Sequence, residues 1–235
     1  MEEKEVSGDM EKEKSLYEIA KKYDIDLKKL EDEQVKLAKN LEIKDSIDFS
    51  LVERIAGIES IFIRNRVISA IIVLSPGFEI LEQEYFEDKI KFPYIPGFRA
   101  YRELPNMMAA FSKLNDKPDI AFIRGHGILH PKGLGIASHF SLASGTATIG
   151  IADSLIVGEV KGEDILLNGK LAGRVVKTKE GANPIYVSPG NMISVETSAL
   201  LTKKFTREPH KIPEPLRLAK RYAKEIMNEI FKQVS

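Results

Sequence analysis

The stretch 54-RIAGIESIFIRNRVISAIIVLSPGFEILEQEYFE-87 decides the fold. Two runs rich in isoleucine and valine, RIAGIESIFI and VISAIIVLS, are separated by Arg64, Asn65 and Arg66. β-Branched side chains suit a pleated surface and asparagine tolerates a tight turn, so the pattern predicts a β-hairpin. Ser75-Pro76-Gly77 supplies a second turn, and FEILEQEYFE reads as a third strand. The three strands make an antiparallel meander. Glu59 interrupts its first strand. A carboxylate there is costly unless it faces solvent, as strand alternation allows, or meets a cation or hydrogen-bond donors.

Downstream the pattern changes. After the rigid segment PYIPGF, a helix is expected from Tyr101 to Leu114, with Met107, Met108, Phe111 and Leu114 facing inward. Asp119 to Ile123 reads as a short buried strand that runs into the glycine-rich loop RGHGILHPKGLG. A helix through Ile136, Ala137, Phe140 and Leu142 then leads to the strand TATIGIA. That order implies parallel strands joined by a right-handed crossover. DILLNGKLAGRVV is a hairpin around Asn168-Gly169, IYVSPG is a further extended piece, and two helices close the chain. The last starts near Pro215 and buries Leu216, Ala219, Ala223, Ile226 and Ile230, with Arg217, Arg221 and Lys224 opposite and Lys220 nearer the boundary. Upstream, Leu27, Leu30, Leu37, Ala38 and Leu41 mark a helical stripe read as core packing. A meander followed by parallel strands is the ribonuclease-H-like α/β arrangement, a mixed sheet flanked by helices. Such folds gather acidic residues near the sheet centre to hold divalent metals against phosphate.

Length and composition suit one large domain over residues 16–235, preceded by a charged tail over residues 1–15 expected to be disordered. No apolar run approaches the ~20 residues of a membrane helix, the N-terminus has no signal-like apolar region, and there is no cysteine. A cytoplasmic location is the expectation. Formal net charge is +0, but residues 1–53 hold 10 Lys and 16 acids, net −6, which leaves +6 on the remainder. From Lys203 onward there are 9 basic and 4 acidic residues, net +5. A basic segment of this kind either contacts phosphate or is a solvated helix face, and the acidic N-terminal segment suits a protein partner.

Single residues say less. Glu103, early in its helix, suits the helix dipole as well as catalysis. Gly125, Gly127, Gly133 and Gly135 allow close backbone approach to a phosphate or base, although glycine loops are common. His126 and His130 are four apart, but Gly127 and Pro131 break any helix that would present both, which argues against zinc.

Taken together, PYIPGFRAYRELP, PDIAFIRGHGILHPKGLGIASH, TATIGIADS, PIYVSPGN and KIPEPLRLAKRYA, in this order and spacing, resemble endonuclease V. The similarity runs from about Ile55 to Tyr222. It implies recognition of deaminated bases, chiefly inosine, in DNA or RNA, and phosphodiester cleavage with magnesium or manganese. Glu103 matches the family's second carboxylate. Tyr94, within Pro93-Tyr94-Ile95-Pro96, matches an aromatic wedge that enters the base stack. Gly97, Gly125 and Gly150 match base-pocket glycines, with Gly127 in the same loop, and His130-Pro131 is retained.

Four charged positions depart from the resemblance. Glu59 stands for an aspartate, Arg124 for an aspartate before Gly-x-Gly, Asp153 for a lysine, and Lys220 for a histidine. Arg99 also replaces an apolar residue near the base pocket, and Asn191 a histidine. Glu59 and Glu103 are the remaining metal ligands that the resemblance implies. Arg124 both removes a ligand and adds a fixed charge. At about 4 Å and an effective dielectric of about 20 it would repel a divalent ion by ~8 kcal/mol. Placed at the ends of neighbouring parallel strands, Arg124 and Asp153 are expected to pair, and Arg124 to neutralise Glu59 or Glu103. The leading expectation is a nucleic-acid-binding relative with cleavage lost or impaired. The alternatives are an active nuclease using Glu59, Glu103 and Asp153, and an interaction protein without a nucleic-acid role.

Overall fold

The computed structural model describes residue 16 and residues 18–234, so the expected tail over residues 1–15 lies outside the described residues. Helix α1 (Leu27–Ala38) precedes the sheet, its N-terminus capped by Asp26, which accepts from the Lys29 amide. The meander is β1 (Ile55–Ile63), β2 (Arg66–Leu74) and β3 (Ile80–Lys89), paired antiparallel throughout. Its first turn is tighter than expected. Only Arg64 and Asn65 form it, because Arg66 already pairs with Ile63. Arg64 takes a φ of 49°, the left-handed conformation a two-residue hairpin turn requires.

Helix α2 (Arg99–Phe111) follows, two residues earlier than predicted. Gly97 turns the chain at φ 82° and the Phe98 amide bonds the Ile95 carbonyl at 3.0 Å, so the helix can begin at Arg99. Leu114 lies beyond its end but still packs against the core. β4 (Ile120–Arg124) runs parallel to β1, and after α3 (Ile136–Ser144) β5 (Ala147–Ala152) runs parallel to β4, as expected. The sheet continues through β6 (Glu159–Lys161), β7 (Asp164–Leu167), β8 (Lys170–Val176) and β9 (Ile185–Asn191). Its order is β3-β2-β1-β4-β5-β9-β8-β7-β6. Helices α4 (Val195–Lys204) and α5 (Glu214–Val234) close the chain.

Helices cover both faces of the meander. Met107 and Phe111 of α2 and Phe140 of α3 pack on Ile58, Ile71, Val73 and Ile123. Leu218, Ala219, Ala223 and Ile226 of α5 pack on Ile68, Ala70, Ile72 and Leu74. Cover on both faces explains why β2 is an almost unbroken apolar run. The α5 backbone comes closest at Gly57, where an added Cβ would lie 2.1 Å from the Pro215 carbonyl carbon.

The stripe on α1 departs from the reading of it as core. Leu27, Leu30, Leu37, Ala38 and Leu41 are half-buried. The buried residue of the helix is polar: Gln34, at 1% exposure.

Candidate active site and base pocket

Register assembles the charged centre. Ile58 of β1 pairs with Ile123 of β4, so Glu59 and Arg124 follow side by side where β4 ends. Arg124 in turn aligns with Ile151 of β5, two residues before Asp153. Helix α5, seated on Gly57, brings Lys220 within electrostatic reach of Glu59. Glu59, Arg124, Asp153 and Lys220 therefore gather at one end of the parallel strands, and α2 delivers Glu103 to the same place.

Glu59 does not face solvent. It is 6% exposed, and its Oε2 has no hydrogen-bond partner among the described residues. Burial raises its pKa above the ordinary carboxylate range, opposed by the charges of Arg124, Lys220 and Arg99. The folded protein thus holds this proton more tightly than the unfolded chain. Glu59 favours folding at acid pH, and that contribution is lost as pH rises through its raised pKa. Glu59→Gln should therefore be more stable than wild type at neutral pH, by about 1 kcal/mol. Its stability should also no longer decline just above the ordinary carboxylate range. Chemical unfolding at a series of pH values checks both.

Arg124 and Asp153 form the expected ion pair. The pair is not sealed: Asp153 is half-exposed and also binds Lys211 at 3.0 Å. Of the two acids that Arg124 was expected to neutralise, its charge acts on Glu59, while Glu103 has another partner. Glu103, 3% exposed, is held by Arg99 one helical turn earlier, with Nε to Oε1 at 2.5 Å and Nη2 to Oε2 at 3.0 Å. Both oxygens are taken by this fork, which is worth more than a dipole contact. The i,i+4 spacing of Arg99 and Glu103 was visible in the sequence, but nothing there showed that Glu103 would be buried.

The residues present do not fit a magnesium or manganese centre. A hard divalent ion needs several free oxygen ligands. Glu59 Oε2 has no partner among the described residues, but both Glu103 oxygens are held by Arg99, and the Asp153 oxygens pair with Arg124 and Lys211. Among the described residues no group of three His, Asp or Glu side chains could hold a metal.

Beside this centre lies a cavity of about 290 Å³, whose lining includes Tyr94, Gly97, Arg99, His126, His130 and Ile156. Tyr94 stands 64% exposed on its rim, while Ile95 is buried and anchors the loop between Pro93 and Pro96. Gly97 and Gly135 are among its lining residues, and the glycines of the neighbouring strand ends pack backbone on backbone. A Cβ on Gly150 would lie 2.4 Å from the Gly127 nitrogen, and one on Gly127 would lie 2.0 Å from the Pro189 oxygen. Gly125 bends between them at φ 141°. The His126 Nε2 meets the Ser154 carbonyl at 2.8 Å. Burial pushes His130 down to about 4 although its ring bonds the Gly97 backbone, and lowers His126 and His139 as well. The pocket wall therefore presents neutral imidazoles at neutral pH. Ala100, Leu134, Ser154 and Ile156 also line the cavity without having been expected from the sequence, as does Gln34. Its signal was a polar side chain at the apolar positions of a helical stripe, four after Leu30 and three before Leu37.

A mixed sheet in this order, with acidic residues at the ends of its parallel strands, defines the ribonuclease-H-like class of nuclease folds. Within it the chain belongs to the endonuclease V family, whose pattern matches residues 35–221. Endonuclease V of Thermosipho melanesiensis is 35% identical over 191 residues, 78% of this chain and 84% of that protein. The crystal structure of endonuclease V from Bacillus subtilis superposes with a TM-score of 0.81 at 26% identity, covering 91% of this chain and 97% of that one. Ciona intestinalis endonuclease V, solved with a 24mer DNA containing an inosine followed by a ribo-adenosine, shares the fold at 24% identity. Its TM-score is 0.78, over 87% of this chain and 98% of that one. Among the described residues no helix is long and apolar enough to cross a membrane.

Proposed function

We propose that this protein binds DNA or RNA at deaminated, inosine-type or distorted sites, and that its metal-dependent cleavage is lost or strongly impaired. One observation carries the reading: the Arg99 fork closes both oxygens of Glu103 while Arg124 stands where β4 ends, paired with Asp153. Two guanidinium groups therefore hold carboxylates that a metal would need as ligands. The binding half rests on the exposed Tyr94, its proline-framed loop and the cavity beside it, whose lining includes Gly97 and Gly135. Tyr94 stacks on neighbouring bases as a target nucleotide leaves its strand, and the cavity receives that nucleotide.

The test pairs binding with cleavage on strands that carry one inosine, in magnesium or manganese. Expected are preferential binding to the inosine strand and no nicking. Tyr94→Ala should weaken inosine-strand binding about tenfold and leave plain-strand binding unchanged, since base–aromatic stacking is worth ~1–3 kcal/mol. Robust nicking that Glu103→Gln abolishes would overturn the loss of cleavage. Equal weakening on both strands in the Tyr94 variant would reject the wedge.

A further inference from the structure

As a structural ion pair, Asp153 is poorly placed. Its Oδ2 accepts from Arg124 Nη2, and its Oδ1 pairs with Lys211 Nζ at 3.0 Å. The acid is nevertheless 50% exposed, against 17% for Arg124 and 32% for Lys211. A pair with an acid this open to water adds little to stability. The two cations are better fixed. Arg124 ends β4, and the Lys211 carbonyl accepts from Thr178 Oγ1 at 2.5 Å. Asp153 begins the mostly exposed segment that leaves β5, so its carboxylate can rotate into water while the cations stay.

The cations hold two anionic oxygens, one each. A backbone phosphodiester presents such a pair on a single phosphorus, and guanidinium and ammonium groups are its usual partners. The next residue, Ser154, lines the cavity beside Tyr94, and its carbonyl meets His126 at 2.8 Å.

We propose that Arg124 and Lys211 form a phosphate site whose internal occupant is Asp153, and that this carboxylate competes with the backbone phosphate of a bound strand. Binding expels the carboxylate into water and sets the phosphate between the two cations. Asp153 is thus a brake on affinity. It acts on every sequence alike, because a phosphate carries no base information. The inference rests on the nucleic-acid reading proposed above.

The experiment uses the full chain as wild type, Asp153→Asn, Lys211→Met and the double variant. The first probe is inorganic phosphate, compared with chloride at equal ionic strength in thermal unfolding. Phosphate stabilises any fold slightly by exclusion from its surface, so the shift in wild type is the baseline. Asp153→Asn should gain about 3–5 °C beyond that baseline once phosphate reaches about ten times its Kd. The second probe is strand binding over a range of salt. Asp153→Asn should bind plain and inosine strands about fivefold tighter, the size expected for one freed, partly exposed ion-pair partner. Its log affinity should also fall more steeply with log salt, by about one phosphate contact. In the Lys211→Met background the gain should shrink to about twofold or less, because half the cradle is gone.

Equal strand affinity of wild type and Asp153→Asn overturns the inference, whatever phosphate does to their stability. An undiminished gain in the Lys211→Met background overturns it too, since the acid would then act only at a distance. So does a gain confined to the inosine strand. Asp153→Ser, which removes the charge with a smaller side chain, must repeat the gain of Asp153→Asn, and a gain in one alone also counts against the brake. If neither wild type nor Asp153→Asn binds any strand, the nucleic-acid reading itself fails. Phosphate stabilisation confined to Asp153→Asn would then still support the cradle as an anion site.

Discussion

Arg124→Asp is expected to turn a protein that manganese does not stabilise into one that it does. In wild type the Arg124 guanidinium is the largest positive influence on buried Glu59 and pairs with Asp153. Replacing it with aspartate removes that influence and adds a third acid beside Glu59 and Glu103. Without metal the variant should lose about 2–3 kcal/mol. This is below the usual cost of breaking a buried pair, because Asp153 is half-exposed and keeps Lys211. Manganese then finds Glu59 Oε2 and a new carboxylate, and a ligand at about a hundred times its Kd restores ~2.7 kcal/mol. Thermal unfolding of both proteins with and without manganese decides the matter. A wild type that manganese stabilises as strongly as the variant would mean that Arg124 leaves the site free, and the argument for lost cleavage would fall with it.

The second large effect is expected far from any charge. Gly57→Ala should cost about 3 kcal/mol or more, at the upper end for overpacking a core. The added Cβ would meet the Pro215 carbonyl carbon at 2.1 Å, its oxygen at 2.2 Å and the Leu216 nitrogen at 2.4 Å. All three are backbone atoms, so no side chain can rotate away. Either β1 leaves its register with β2 and β4, or the first turn of α5 lifts off the sheet. Denaturant unfolding measures the loss. A change below 1 kcal/mol would show that α5 slides without penalty and that Lys220 is not rigidly placed over Glu59.

How much of this could be read from sequence depended on the kind of interaction. The meander, the parallel crossover and the Asn168-Gly169 hairpin rest on local signals, namely β-branched runs and turn residues, and all are present. The Arg124–Asp153 pair was also legible, because parallel neighbours place the ends of β4 and β5 side by side. Strand β6 was not: its three residues are all exposed and show no apolar alternation. Lys211 reaches Asp153 from a loop 58 positions later in the sequence, a distance that no spacing rule encodes. The burial of Glu103 and Gln34 was hidden for the same reason. Whether a polar residue on a helix faces water depends on what the rest of the chain lays over it.

Helix α1 has a consequence of its own. It buries one side chain, and a polar one. Its other holds on the body include the half-buried Leu27, Leu30, Leu37 and Ala38, the Tyr101 hydroxyl, which meets the Leu30 carbonyl at 3.2 Å and Glu33 at 3.0 Å, and the Lys132–Glu31 pair at 3.3 Å. With so little apolar area sealed beneath it, α1 is a local opening unit whose amides should exchange with solvent while the sheet remains protected. Each such opening withdraws Gln34, whose Nε2 donates to the Gly97 carbonyl at 2.8 Å, and so unlatches that carbonyl. The shape of the cavity therefore depends on a lightly anchored helix, and a nucleotide held there should slow exchange along α1 before it slows exchange anywhere in the sheet.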